Sequence, residues 1–265
     1  MFMPKEKYTM QDLIDIVALL RHPESGCPWD KVQTHLSIRK SLLEEAYEVA
    51  DAIDLDDSHL MCEELGDLLL QIVFHTQLEA EQGAFSMDDV LDGICKKLVL
   101  RHPHIFSTVN ADTADKVLEN WENIKKEEKG RQSAEKNLDD VPKALPALMR
   151  AQKLQKRAAQ YGYDYHDADG AIKALDGEIA ELKQAVAQNA PNISEEMGDV
   201  LFSAVNVARH LKQDSEETLT RAADKFAARV KAAERLANES GNTLDGLTDE
   251  ELDKLWRQAK VCTER

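Results

Sequence analysis

The sequence predicts an all-α protein built from two tandem helical-bundle modules, and three observations carry that reading. Of 265 residues only 11 are Gly and 7 are Pro, so turns are scarce and long helices are favoured. Runs rich in Ala, Leu, Glu, Lys and Gln favour the same state, and no strand-like alternation persists over a useful length. The third observation is an acidic pattern written twice. Its first copy is Glu45-x-x-Glu48 followed by Glu64-Leu65-Gly66-Asp67, and its second is Glu178-x-x-Glu181 followed by Glu196-Met197-Gly198-Asp199.

Other features recur in the same order. An apolar stretch follows each copy, Leu68 to Phe74 and Val200 to Val205. A basic pair at helical spacing comes next, Lys97 with Arg101 and then Lys225 with Arg229. A Trp with a Lys one turn later closes each half, Trp121 with Lys125 and Trp256 with Lys260. A shared order of this kind predicts a duplicated module. The expected division is an N-terminal module over 1–126, a linker and connecting helix over 127–160, and a C-terminal module over 161–265. Residues 127–133 are charged and flexible in composition. Asp139-Asp140-Val141-Pro142 has the acidic cap and early Pro of a helix start. The connecting helix is therefore expected from Lys143 to Gln160, ending near Tyr161-Gly162-Tyr163-Asp164.

Within the first module, Leu42, Ala46, Val49 and Ile53 form an apolar stripe that Glu45 flanks. The helix carrying Glu64 and Asp67 is apolar almost all round from Leu65 to Leu78, the pattern of a helix in the middle of a bundle.

Composition limits the function. A formal net charge of −17 argues against duplex nucleic acid or an anionic membrane as partner. A small polyanion such as a nucleotide remains compatible if metal ions and a few placed cations screen it. No apolar run approaches the roughly 20 residues of a membrane span, and the Met1-Phe2-Met3-Pro4-Lys5 start lacks a signal-peptide pattern. Cys27, Cys62, Cys95 and Cys262 are scattered without Cys-x-x-Cys spacing, as expected of free thiols in a reducing cytoplasm.

Residues three or four apart share a helix face, so each acidic copy puts a carboxylate pair on each of two neighbouring helices. Four converging acids repel one another unless a hard divalent cation sits between them; the alternative is a set of Lys or Arg partners, or a solvated face. Oxygen-only ligands without His or Cys favour Mg²⁺, with Mn²⁺ as a substitute, over zinc. A di-iron bundle would need Glu-x-x-His, and no His here has Glu three positions before it. Lys225 with Arg229, and Lys97 with Arg101, would hold the phosphates at the far end of a metal-bound nucleotide; otherwise they are surface residues. Trp256 and Trp121 would stack on a base or serve as core residues. Lys260 and Lys125 would contact phosphate or simply be solvated. Asn206, on the helix face of Asp199, would orient a metal ligand; the first module has Phe74 at that place. Two segments, Gly26 to His35 and Arg101 to Phe106, occur only in the first module.

On these residues the chain resembles the MazG family of nucleoside triphosphate pyrophosphohydrolases, in its two-module bacterial form. The likeness includes Gly26-Cys27-Pro28-Trp29-Asp30-Lys31, Arg101-His102-Pro103-His104, Val141-Pro142-Lys143-Ala144-Leu145-Pro146 and Glu195-Glu196-Met197-Gly198-Asp199. The family hallmark is Glu-Glu-x-x-Glu followed by Glu-x-x-Asp. Glu44, Glu45, Glu48, Glu64 and Asp67 match it in full, whereas the second copy has Gly177 in place of the leading Glu.

The resemblance implies two MazG-like all-α modules, a homodimer of interlocked helices, and Mg²⁺-dependent cleavage of nucleoside triphosphates to monophosphate and pyrophosphate. It implies that the C-terminal module is the competent one; stacking on Trp256, tolerant of base identity, fits broad specificity, as in nucleotide-pool control. There the metal ligands would be Glu178, Glu181, Glu196 and Asp199, with Glu178 and Glu181 both candidates for the general base. The nucleotide contacts would be Lys225, Arg229, Trp256 and Lys260. Glu45, Glu48, Glu64, Asp67, Lys97, Arg101, Trp121 and Lys125 are the first-module counterparts. Two alternatives remain: a non-catalytic helical regulatory or interaction dimer, and a pyrophosphohydrolase for a narrow substrate such as phosphoribosyl-ATP or a modified nucleotide.

Overall fold

The computed structural model describes residues 4–107, 113, 116–117, 120–121, 124 and 133–263, and every regular element among them is helical. The all-α expectation holds. The chain divides into two compact units, Met1–Lys125 and Lys126–Arg265.

In the first unit, helix α1 (Met10–Leu20) starts at a capping box in which Thr9 and Asp12 satisfy each other's backbone N–H groups. A short 3₁₀ turn, Asp30–Val32, leads to α2 (His35–Asp54), which opens on a second box between Thr34 and Ser37. The chain reverses through Asp56, in the left-handed region at φ 53°, and Asp57 accepts the N–H groups of His59 and Leu60 at 2.9 and 3.1 Å. Helix α3 (Ser58–Glu81) then packs back along α2, the most extensive helix pair of this unit. α4 (Met87–Arg101) and the single turn α5 (Pro103–Phe106) follow. The core joins Val17, Ile38, Val73, Phe74, Leu78 and Met87 from α1, α2, α3 and α4. It occupies the end of the hairpin where α2 begins and α3 finishes, so the acid-bearing half lies outside it.

Two expectations for this hairpin need correction. The packed face of α2 runs through Ile38, Leu42, Glu45, Val49 and Ala52, while Ala46 and Ile53 are exposed, Ile53 at 59%. Glu45 thus lies within the packed stripe instead of beside it, because the line of approach of α3 selects the face. Nor is α3 buried all round. Val73, Phe74, Thr76 and Leu78 are buried, but Leu65, Leu69 and Ile72 remain 48%, 36% and 41% exposed. These three lie at i, i+4 and i+7, one continuous uncovered stripe.

In the second unit the helices are α6 (Ala134–Asp139), α7 (Ala147–Ala159), α8 (Ala168–Ala187), α9 (Ile193–His210), α10 (Ser215–Glu239) and α11 (Asp249–Thr263). The connecting helix begins four residues later than expected, at Ala147. Pro146 lacks an N–H and drives Leu145 away from helical dihedrals, so the segment from Val141 runs as a turn. Buried Arg157 ties α6 to α7, donating to the Asn137 carbonyl and lying 3.7 Å from the Asp140 carboxylate. α8 and α9 form a hairpin like that of α2 and α3, and α7 packs against α9 and α10. α10 and α11 close together where Ala232, Ala233 and Ala259 are buried and small. Met197 and Leu201 on α9 are exposed, at the places of Leu65 and Leu69 on α3. No helix among the described residues is long and apolar enough to cross a membrane.

Candidate functional site

Each hairpin brings acids from its two helices together. In the first unit Glu45 and Glu48 of α2 and Glu64 of α3 offer carboxylate oxygens within 4.8 Å of one another. In the second, Glu178 of α8 with Glu196 and Asp199 of α9 do the same. Asp67 and Glu181 fall outside these trios and are exposed, yet both remain electrostatically coupled to them. Partial burial, then repulsion from Glu48 and Asp67, pushes Glu45 and Glu64 above the ordinary carboxylate range. Glu196 is raised by partial burial and then by Glu181 and Asp199. Asn192 donates to Glu196 at 2.7 Å. Among the described residues no Lys or Arg ion-pairs with any of the eight acids. A set of oxygen donors whose charge is held at a cost, without a cationic side chain, suits a hard divalent cation.

Glu44 has a different role. It pairs with Lys40 at 2.7 Å on an exposed face, an i, i+4 bridge directed away from the trio. A side chain at Gly177, its counterpart, would meet nothing within 4 Å. The missing fifth acid therefore subtracts nothing from the converging oxygens of the second hairpin.

The basic pairs lie on other helices. Lys225 and Arg229 share a face of α10, with Lys225 exposed and the Arg229 guanidinium 5.9 Å from the centre of the Trp256 ring on α11. Phe226 meets the same indole at 5.5 Å and 52°. Lys260 is exposed one turn beyond Trp256. The first unit repeats the arrangement: Arg101 of α4 lies 5.5 Å from the Trp121 ring, and Lys97 is exposed on α4. Lys125 lies outside the described residues, as do the linker positions 127–132. α9 and α10 share only a limited contact, so acids and cations sit on neighbouring helix pairs and not on one.

A family model described as the MazG nucleotide pyrophosphohydrolase domain matches residues 33–106 and 168–254, ranges that hold both acidic hairpins. The chain belongs to the MazG family. It is 43% identical to the nucleoside triphosphate pyrophosphohydrolase of Escherichia coli K12, over 94% of this chain and 95% of that relative. It is 41% identical to the nucleoside triphosphate pyrophosphohydrolase/pyrophosphatase MazG of Thermotoga maritima, over 94% and 95%. It is 47% identical to the uncharacterized protein YabN of Bacillus subtilis, over 94% of this chain but 51% of that relative.

A third cluster was not legible in the sequence. Asp164, in the loop after α7, accepts from Arg209 and His210 at the end of α9, His210 Nε2 lying 2.9 Å from Oδ1. Arg209 also donates to Asn206 Oδ1 through Nε at 3.1 Å and Nη2 at 2.7 Å. Asn206 thus directs its Oδ1 to this arginine. Beside the network lies a cavity of about 530 Å³ lined in part by Gln155, Tyr163, Tyr165 and Phe202. No spacing rule joins residues 155, 164 and 206; only the packing of α7 on α9 does so.

Proposed function

We propose that the protein hydrolyses nucleoside triphosphates to the monophosphate and pyrophosphate with Mg²⁺, chiefly in the second module. The observation that carries this reading is the trio Glu178, Glu196 and Asp199, whose oxygens converge without a cationic side chain in a chain of this family. Relatives matched over nearly their whole length are named nucleoside triphosphate pyrophosphohydrolases, which supports the same reaction here.

Glu178, Glu196 and Asp199, with Glu181 beside them, would hold the cation; Mn²⁺ would fit the same oxygens. A divalent cation held by these residues would supply screening for the triphosphate and a more acidic water. Whichever of Glu178 and Glu181 is less engaged with the cation would accept the proton of the water that attacks phosphorus at the α–β bridge, the bond to the departing pyrophosphate breaking as the new one forms. Lys225, Arg229 and Lys260 neutralise the departing pyrophosphate, and Trp256 serves as the platform on which Arg229 rests. Glu45, Glu48, Glu64, Asp67, Lys97, Arg101, Trp121 and Lys125 would form the equivalent first-module set. We assign the enzyme to a homodimer, because the apolar stripes Leu65–Leu69–Ile72 and Met197–Leu201 stay 36–53% exposed.

The test is pyrophosphate release from a panel of nucleoside triphosphates with Mg²⁺. Glu178→Ala with Glu181→Ala is expected to lower the rate at least a hundredfold, and Glu45→Ala with Glu48→Ala to leave most of it. The opposite pattern would reverse the module assignment, and no release by the unaltered protein would end the reading.

A further inference from the structure

We infer that Asn192 is a positioning residue of the second module's cation site, holding Glu196 in the orientation that binds the metal. The inference rests on the cation reading above and adds a residue that the repeated acids do not include.

Asn192 stands at the start of α9, where an Asn side chain ordinarily accepts the N–H of the second or third helical residue. It does not do so here. Its backbone, at φ −94° and ψ 12°, lies outside the extended region that capping uses, and no N–H of the first turn donates to its side chain. Only its carbonyl serves the helix, accepting from Glu195 and Glu196 at 2.9 and 3.1 Å. The side chain instead donates from Nδ2 to Glu196 Oε1 at 2.7 Å. An ionised carboxylate only accepts, so this partner also fixes which end of the amide faces it. Helix capping leaves the contact unexplained, and Glu196 is one of the three acids whose oxygens converge.

The kind of donor matters. A Lys or Arg at this place would offset the charge that draws a cation, whereas a neutral amide orients the carboxylate and leaves its charge intact. With Oε1 held by Asn192, Oε2 is left for the metal. The side chain has then already lost rotamer freedom that ligation would otherwise remove. Asn192 and Glu196 are both half-buried, so water competes less for this hydrogen bond than it would on an open face.

The duplicated module supplies the comparison. Four residues before Glu64 stands Leu60, whose side chain has no donor. α3 begins at Ser58, six residues before its acid, and Asp57 caps it by accepting from His59 and Leu60. α9 begins at Ile193, only three residues before Glu196. This later start places Glu196 nearer the positive end of the helix dipole, a second influence that favours the ionised ligand. The hairpin whose motif lacks the leading Glu thus carries a donor at a place where the other carries Leu.

The experiment measures Mn²⁺ binding to the full chain through the electron paramagnetic resonance signal of the free ion. The background is Glu45→Ala with Glu48→Ala, so that only the second trio is intact. Asn192→Leu, the residue at the first module's place, is expected to weaken binding about tenfold, the usual cost of removing the partner of a metal ligand. The same variant should need about tenfold more Mn²⁺ to reach half of its own maximal rate of pyrophosphate release from ATP. Asn192→Gln keeps the amide donor and is expected to recover most of the loss, which a folding defect at the helix start would not do. Affinity in Asn192→Leu within about twofold of its parent, or an equal loss in both variants, overturns the positioning role. If that happens while the parent background still binds Mn²⁺, the positioning role alone falls. If the parent background binds no Mn²⁺, the cation reading falls and takes Asn192 with it.

Discussion

Arg209 at the end of α9 holds Asp164 through two hydrogen bonds, Nη1 to Oδ2 at 3.0 Å and Nη2 to Oδ1. With the Arg209 hydrogen bonds first and His210 second as causes, the Asp164 carboxyl is held below its ordinary value of 3.8. A depressed carboxyl contributes stability that is present above the unfolded value and is lost as pH falls through the folded one. Asp164→Asn is therefore expected to cost about 1–3 kcal/mol at pH 7. Thermal unfolding followed from pH 7 down to about 2.5 should show variant and parent converging only at the acid end.

Arg21 makes the equivalent anchor in the first unit. It is buried, meets both Glu81 oxygens at 2.8 Å, and donates to the Asp30 carbonyl at 2.6 Å. This single side chain joins α1, the loop before α2 and the end of α3. Arg21→Met should remove about 2–4 kcal/mol, since it takes both guanidinium bonds from Glu81 and strands the Gln33 carbonyl. Denaturant unfolding read in the first unit, for instance by Trp29 fluorescence, would measure it; a loss below about 0.5 kcal/mol would refute the anchor.

Gly26 is set by close approach. A Cβ there would lie 2.5 Å from the carbonyl oxygens of both His22 and Leu20. Gly26→Ala must push backbone against backbone, and is expected to destabilise by about 1–3 kcal/mol. Gly177→Ala, where a Cβ meets nothing, is the control; it should gain up to about 1 kcal/mol from helix propensity. Equal melting temperatures for the two would contradict the close approach.

Cation binding should depend on pH in a defined direction. Glu45, Glu64 and Glu196 are raised, so their repulsion is absent at low pH and grows as pH rises and they ionise. A divalent cation displaces those protons and relieves that repulsion. The rise in melting temperature produced by Mg²⁺ is expected to be small at pH 5 and to increase toward pH 8. Glu196→Gln should flatten that dependence. A rise independent of pH would argue against carboxylate ligation.

The proposed homodimer can be examined through the half-exposed apolar stripes. Leu69→Asp and Leu201→Asp place a charge on α3 and on α9 without entering either core. Light scattering should report twice the chain mass for the parent and a shift toward the single chain for the variants. A monomeric parent at micromolar concentration would exclude the assignment.

The acidic helices were legible because a spacing of three or four residues is itself a statement about a helix face. The late start of α7 was written there too, in Pro146, but the acidic cap at Asp139 was the louder signal. What periodicity could not choose was the side of α2 that meets α3. Glu44 and Glu45 are adjacent, and only packing put Glu45 in the stripe and Glu44 against Lys40.

By itself the sequence determined that the chain is helical, that a module is duplicated and that eight acids recur in order, because local spacing along a helix dictates all three. Tertiary structure alone decided which oxygens converge and which apolar stripe stays bare. It also decided that Gln155 faces Phe202, 47 residues away in the chain. Those outcomes depend on how helices cross, which is set by side-chain volumes summed over whole faces and by no single spacing in the chain.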